Sequence, residues 1–154
     1  MLPNRKRVKP GDVLELKAAD RYAYLQFIGR HPEYGDAILV GPKLYASPHT
    51  EVTGEAFLNG YVTFYPVTVA VARGLVEVVG HLTPPSLPQR FRRPGAMSGR
   101  RIDTWVIEDN AGEVVRRKLS EAELQLPIAS IWNHELLVQR ITEGWTPTQE
   151  GRRS

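Results

Sequence analysis

The chain lacks cysteine entirely, which excludes disulfides, thiolate-bound zinc and cysteine nucleophiles. It also lacks a long apolar run. The longest, at residues 67–79, is broken by polar and charged residues and falls short of the ~20 residues that a membrane helix needs. The basic N-terminus is followed by a polar segment rather than by the hydrophobic region of a secretory signal. We therefore expect no membrane association and a soluble, cytoplasmic protein.

A strong excess of charge of one sign is missing too. The 20 Lys and Arg residues stand against 17 Asp and Glu, a net charge of +3 that does not require a nucleic-acid partner. With 154 residues, 42% hydrophobic and 24% charged, the chain fits one domain with a buried core. The expected organisation is a basic arm at residues 1–10, a β-rich domain at 11–145 and a frayed tail at 146–154.

The first half of the chain is marked by short runs in which apolar and polar residues alternate, bounded by Gly and Pro. They predict strands at residues 13–16, 22–28, 36–40, 61–65 and 75–79. The close spacing of the first three is typical of an antiparallel meander rather than of βαβ units. Residues 43–60 read as a loop with at most one helical turn. The pattern leaves residues 67–72 open between strand and helix.

The second half opens with a segment rich in Pro and Arg, residues 81–101, which we predict to be a long exposed loop. Residues 104–119 then predict a hairpin whose turn carries Glu108 and Asp109 at its start, where acidic side chains commonly cap backbone amides.

Helical signals follow the hairpin. Ser120 and Glu123 fit a capping box, and Asn133 is placed to cap a helix at residues 134–143. The fold class is therefore α+β and β-rich: a small bent antiparallel sheet, or a partly open barrel, with a C-terminal helix.

The histidines form no recognisable catalytic or metal-binding motif. His134 and Val138 have the spacing of a zinc-protease helix, but Val138 stands where the second imidazole is required. The other histidines lie in Pro-containing loops with no pairing that the sequence defines; they are His31, His49 and His81. We therefore predict no enzyme, no metal site and no cofactor, and an enzyme that uses an imidazole and a carboxylate is the least supported hypothesis.

Arginines crowd the Pro-rich segment around one aromatic residue. The set comprises Arg90, Phe91, Arg92, Arg93, Arg100 and Arg101. Planar guanidinium groups suit carboxylates and phosphates, and a phenyl ring can stack on a base, so this loop is a candidate contact for an acidic partner or a nucleic acid. The alternative is a solvated loop without a binding role.

Tyrosines define a second candidate surface, because each lies opposite the predicted core face of its strand. They are Tyr22, Tyr24, Tyr61 and Tyr65. Tyrosine suits interfaces because it combines contact area with a polar group. The sequence equally allows that both faces of the sheet are covered and that these rings belong to the core.

Both ends of the domain resemble the immunity protein 26 family, whereas residues 43–101 match no motif. The matching pieces are KPGDV at 9–13, RYAYLQ at 21–26, LPI at 126–128, IWN at 131–133, ELL at 135–137 and RI at 140–141. The resemblance implies a non-enzymatic bacterial protein that neutralises a cognate toxin by covering its active site or holding it inactive. Many immunity proteins are acidic and this chain is slightly basic, so the resemblance implies a toxin with an acidic patch or a mainly apolar contact.

Two functional hypotheses follow. The first is an immunity-type protein that binds its toxin through the tyrosines and the Arg-rich loop. The alternative is a nucleic-acid-binding barrel whose phosphate contacts come from the same loop and the basic N-terminal arm, with affinity that falls steeply as salt rises.

Overall fold

Two antiparallel sheets and a two-stranded ribbon make up the β structure of the computed structural model, which describes residues 7–150. Its strands are β1 (Asp12–Ala18), β2 (Arg21–His31), β3 (Gly35–Val40), β4 (Tyr61–Phe64), β5 (Val76–His81), β6 (Phe91–Pro94), β7 (Met97–Ser98), β8 (Arg101–Ile102), β9 (Trp105–Asp109) and β10 (Gly112–Arg116). Its α-helices are α1 (Val67–Ala72), α2 (Glu121–Leu124) and α3 (His134–Glu143). Short 3-10 turns occur at Gly54–Phe57 and Pro147–Gln149. The predicted α+β, β-rich class with a C-terminal helix is confirmed.

The first sheet contains the predicted meander and has the strand order β4-β3-β2-β1-β5. Residues 67–72, which the pattern left open, form α1 because the chain turns out of the sheet after β4. The carboxylate of Asp36 accepts the backbone N–H of Val67 at 3.1 Å and so satisfies one free donor at the start of that helix. The chain then returns as β5, which pairs with the other side of β1.

Both faces of the first sheet are covered. On one face, Leu14 and Leu25 belong to a core that Leu137 and Ile141 of α3 complete. On the other face, the residues that pack together come partly from the strands and partly from the loop after β3. They are Val13, Tyr24, Ala56 and Phe57. Because that loop folds back over the sheet, alternate residues of β1 and β2 are buried on both sides.

The second sheet has the order β10-β9-β6, and its β9–β10 hairpin is as predicted. Strand β6 corrects the prediction of a structureless loop at residues 81–101. It pairs with β9 on one side, and on the other Arg92 exchanges backbone hydrogen bonds of 2.9 Å with Pro127 and Ala129. Pro94 fits because it lies at the last position of this short strand, where a missing N–H costs least.

The C-terminal helices begin where the sequence predicts. Ser120 and Glu123 form the reciprocal capping box, and Asn133 accepts the N–H of Leu136 at 2.8 Å. In the predicted tail from residue 146, the structure has a 3-10 turn at Pro147–Gln149, in which Pro147 is buried and its carbonyl accepts from Arg92. Residues 151–154, and residues 1–6 of the predicted basic arm, lie outside the described part of the chain. Within residues 7–150, no helix has the length and apolar character that crossing a membrane requires.

Candidate functional site

The tyrosines do not form the predicted surface. Tyr24, Tyr65 and Tyr61 are only 0%, 1% and 8% exposed, and Tyr22 alone is partly accessible. The prediction assumed that one face of the sheet meets water. The loop after β3 covers Tyr24, and the C-terminal part of the chain covers Tyr61 and Tyr65. The sequence allowed either a tyrosine-lined contact surface or tyrosines buried in the core. These three rings belong to the core.

Tyr24 links the sheet to the loop that covers it. Its hydroxyl donates to Glu15 at 3.0 Å and accepts the backbone N–H of His49 at 2.7 Å, while its ring stacks on the imidazole of His49. Burial raises the pKa of Tyr24. A ring with so many internal contacts is a structural element rather than a free contact for a partner.

Tyr65 and Tyr61 join the sheet to the region around α3. The hydroxyl of Tyr65 lies 2.8 Å from Nδ1 of His134, and burial raises the pKa of Tyr65 to about 12 while it lowers the pKa of His134. Both side chains are therefore uncharged at neutral pH. As predicted, His134 is the first residue of α3 and lies beside the core. Tyr61 packs against Trp132 and Trp145, and burial raises its pKa as well.

The arginine cluster is also divided by the fold. Arg92 is fully buried with its guanidinium over the ring of Trp105, 4.3 Å from the centroid. It donates to four backbone carbonyls, those of Leu124, Leu126, Pro147 and Glu150. Burial lowers its pKa to about 10, so the group stays cationic at neutral pH. Arg92 therefore holds the C-terminal segment on the second sheet and cannot contact a partner. Phe91, beside it, is buried as well.

The remaining arginines do not form one cationic patch. Arg93 is paired with Glu113 at 3.0 Å, and Arg101 with Asp103 at 2.8 Å. Arg90 and Arg100 are exposed, and neither has an ion pair among the described residues. The loop thus presents two unneutralised guanidinium groups rather than the predicted five.

The histidines outside α3 are held by local contacts. Nδ1 of His81 lies 3.1 Å from the carboxylate of Asp12, on an exposed part of β5. Nδ1 of His31 accepts the backbone N–H of Glu33 at 3.0 Å and of Tyr34 at 3.3 Å, which places the proton of the neutral ring on Nε2. Within residues 7–150, no group of three or more His, Asp and Glu side chains is arranged to hold a metal ion.

A cleft of about 390 Å³ opens between the two sheets. It lies where the turn after β2 faces the end of β9 and the segment before β6. Three carboxylates lie along it, and the lining includes no Lys or Arg among the described residues. We call it the acidic cleft; its main lining side chains are Glu33, Glu108, Asp109, Pro32, Leu87 and Phe91, with His31 at one wall.

Aromatic rings form the inner wall of the acidic cleft. His31 stacks on Tyr34 with 4.9 Å between centroids and meets Phe91 edge-on at 5.2 Å. The hydroxyl of Tyr34 donates a short hydrogen bond to Glu108, and burial together with this contact raises the pKa of Tyr34 to about 12. Glu108 is therefore anchored while Glu33 is exposed at the rim. This combination of apolar wall and negative rim suits a cationic group on an apolar stem.

A second cleft, of about 380 Å³, lies in the loop after β3, beside Tyr45 and His49. Its charged lining residues are of both signs, Lys43 with Glu51 and Glu55, so it offers no uniform electrostatic preference. The acidic cleft is the stronger candidate site.

Comparisons of the chain with protein-family models, with curated proteins and with solved structures find no match. The resemblance to the immunity protein 26 family therefore stays a prediction that rests on its short motifs.

The residues of the acidic cleft were not predicted as a site. The sequence analysis interpreted Glu108 and Asp109 as turn-capping side chains, and Asp109 does accept the N–H of Ala111 at 2.7 Å. His31, which the sequence analysis placed in a Pro-containing loop, lines the cleft together with Pro32. Nothing in the linear pattern indicated that these two turns, almost eighty positions apart, lie side by side.

Proposed function

We propose that this chain is an immunity-type binding protein that neutralises a cognate bacterial toxin by direct contact, with the acidic cleft as its recognition surface. The observation that supports the cleft is its lining: three carboxylates, an aromatic and aliphatic wall, and no cation among the described lining residues. The toxin-neutralising role itself rests on the family resemblance, and the chemistry of the cleft narrows the kind of toxin surface that would fit.

The lining favours a Lys or Arg side chain of the toxin as the group that enters the cleft. A carboxylate binds a guanidinium or ammonium group with a charge-assisted hydrogen bond, and the methylene stem packs on apolar surface. Glu108 already shares its charge with Arg93 at 3.8 Å, so Glu33 and Asp109 carry most of the unneutralised charge. The net charge of +3 does not oppose this contact, because complementarity is local and distant surface charges are screened.

Nucleic-acid binding has less support. That alternative needs a continuous cationic surface, but Arg92 is internal and Arg93 and Arg101 are paired with carboxylates. In the loop only Arg90 and Arg100 remain without an ion pair among the described residues, so most phosphate contacts would have to come from the basic N-terminal arm, of which residues 1–6 lie outside the described part. An electrophoretic shift of DNA or RNA at low salt that vanishes in Arg90→Ala and Arg100→Ala would reverse this preference.

The proposal is tested with the product of the gene next to that of this chain, as the candidate toxin. Co-expression should restore growth that the toxin alone arrests, and calorimetry should give a stable complex. Glu33→Lys places a cation at the rim of the acidic cleft and should weaken binding by roughly ten-fold or more through like-charge repulsion. The matched control is Glu77→Lys, an equal charge change on the exposed side of β5.

Two results would contradict the proposal. If the chain neither binds the neighbouring toxin nor protects cells from it, the immunity role is wrong. If it binds but Glu33→Lys and Glu77→Lys weaken the complex equally, the role stands and the acidic cleft is not the contact.

A further inference from the structure

Strand β10 ends the second sheet with an open edge. It pairs with β9 on one side and with no other strand among residues 7–150. All of its residues are exposed, including Val114 at 46% and Val115 at 63%. Exposed β-branched residues on an unpaired edge form a template for a further strand.

The hairpin register shows which backbone groups of β10 are available. Asp109 and Gly112 face each other across a two-residue turn, so this pair exchanges both of its hydrogen bonds. Because hydrogen-bonded positions alternate along an antiparallel ladder, Val114 also bonds to β9. The N–H and C=O groups of Glu113 and Val115 therefore point outwards. The strand ends at Arg116, and Arg117 is the exposed residue directly after it, where the chain bends.

The outward-pointing positions are complementary to themselves. In a two-fold antiparallel pairing centred on Val115, Val115 meets its own copy and Glu113 meets Arg117 of the other chain. Within one chain, the single guanidinium of Arg93 serves two carboxylates, at 3.0 Å from Glu113 and 3.8 Å from Glu108. Arg117 from a second copy would supply the missing cation. A pairing centred on Val114 would place Glu113 opposite Val115 of the other chain. That register would bring no opposite charges together.

We infer that the β10 edge is a self-association surface, in which a second copy of this chain extends the three-stranded sheet to six strands in the register centred on Val115. This edge neighbours the acidic cleft, because Glu113 lies opposite Glu108 in the hairpin, but it offers a different contact and goes beyond the proposed toxin binding. The paired segment is short, so the dimer forms at high protein concentration rather than as an obligate unit.

Single cysteines test both the dimer and its register, since the native chain contains none. In the inferred register the two Cα atoms at position 115 are about 5.5 Å apart, within the ~4.4–6.8 Å that a disulfide spans. The two at position 114 are on a diagonal of about 7–8 Å. Val115→Cys should therefore form a disulfide-linked dimer on mild oxidation much faster than its matched control, Val114→Cys. Equal rates, or a faster reaction at position 114, would overturn the inference.

A charge exchange gives an independent test by sedimentation equilibrium. The unmodified chain should show concentration-dependent dimerisation at low salt, and Glu113→Arg or Arg117→Glu should each weaken the association by about ten-fold or more. The double variant restores opposite charges across the interface and should recover most of the loss, with circular dichroism as the control for folding. Self-association is refuted if the chain stays monomeric up to about 1 mM, even if a toxin strand binds the same edge. It is also refuted if the double variant associates no better than the single variants.

Discussion

The two sheets of this protein are stabilised in different ways. The five-stranded sheet is covered on both faces, and its tyrosines belong to its packing. The three-stranded sheet has one face on a small apolar cluster and depends on a buried cation, Arg92, to hold the end of the chain. Several residues that the sequence analysis offered as candidate contacts, among them Tyr24 and Arg92, are buried and stabilise the two sheets. A long amphipathic side chain is thus a poor indicator of exposure when later segments of the chain can satisfy its polar end.

The difference also bears on function. Within residues 7–150, Tyr24, Tyr61 and Tyr65 of the first sheet are buried and form no contact surface, whereas the second sheet has the fully exposed strand β10 at one edge and contributes Glu108 and Asp109 to the acidic cleft. Candidate recognition surfaces therefore concentrate around β9 and β10. The variants below measure the contrast between the two sheets, from the largest expected effect to the smallest.

Tyr24→Ala should cause the largest loss. It removes a fully buried ring and leaves Glu15 and the N–H of His49 without their partner, so the free energy of unfolding should fall by about 3–5 kcal/mol. Tyr22→Ala, two residues away on the same strand face, should cost about 1 kcal/mol or less. Urea denaturation gives both values, and similar losses would mean that Tyr24 is not part of a packed face.

Arg92→Met tests the second sheet. It keeps the volume of the side chain but removes the hydrogen bonds that Arg92 donates to four backbone carbonyls, two of them buried and two half-buried, and we expect a loss of about 3 kcal/mol. Hydrogen exchange should show the residues around Pro147 opening first. Arg90→Met, at an exposed neighbouring position, should stay within about 0.5 kcal/mol of the parent. If the two substitutions have equal effects, Arg92 does not anchor the C-terminal segment.

Glu123→Gln should have the smallest effect, and one that depends on pH. Glu123 accepts the N–H of Ser120 at 2.9 Å and lies 3.1 Å from Arg116, and these contacts hold its pKa below the ordinary 4.5. A lowered pKa means that the carboxylate stabilises the fold above the ordinary value and loses this contribution as pH falls through the folded value. The variant should lose about 1 kcal/mol at pH 7 and less at pH 3.

Denaturation at both pH values checks the prediction. Glu77→Gln, at an exposed site in β5, provides the comparison. A loss that is the same at both pH values would mean that the carboxylate charge of Glu123 plays no part in capping α2.

Local features were readable from the sequence to a useful degree. The alternation in residues 22–28, the turn before Gly112 and the caps at Ser120 and Asn133 each depend on a few neighbouring residues, and each is found in the structure. Residues 67–72 could not be decided, since their β-branched content favours a strand while Asp36, distant in sequence, caps the helix that forms.

The candidate site was beyond such reasoning. Arg92 looked like its neighbours Arg90 and Arg93, and only the carbonyls of Leu124 and Pro147 distinguish its environment. The acidic cleft likewise exists only because the turn after β2 lies against the end of β9.

Periodicity, turn residues and caps alone defined the five strands of the first sheet, the β9–β10 hairpin and the C-terminal helices of this protein, because those patterns act over a few bonds of backbone. The packing of segments far apart in the chain decided which side chains are covered and which charges remain for a partner. Burial depends on what arrives from elsewhere to exclude water, and no local pattern contains that information.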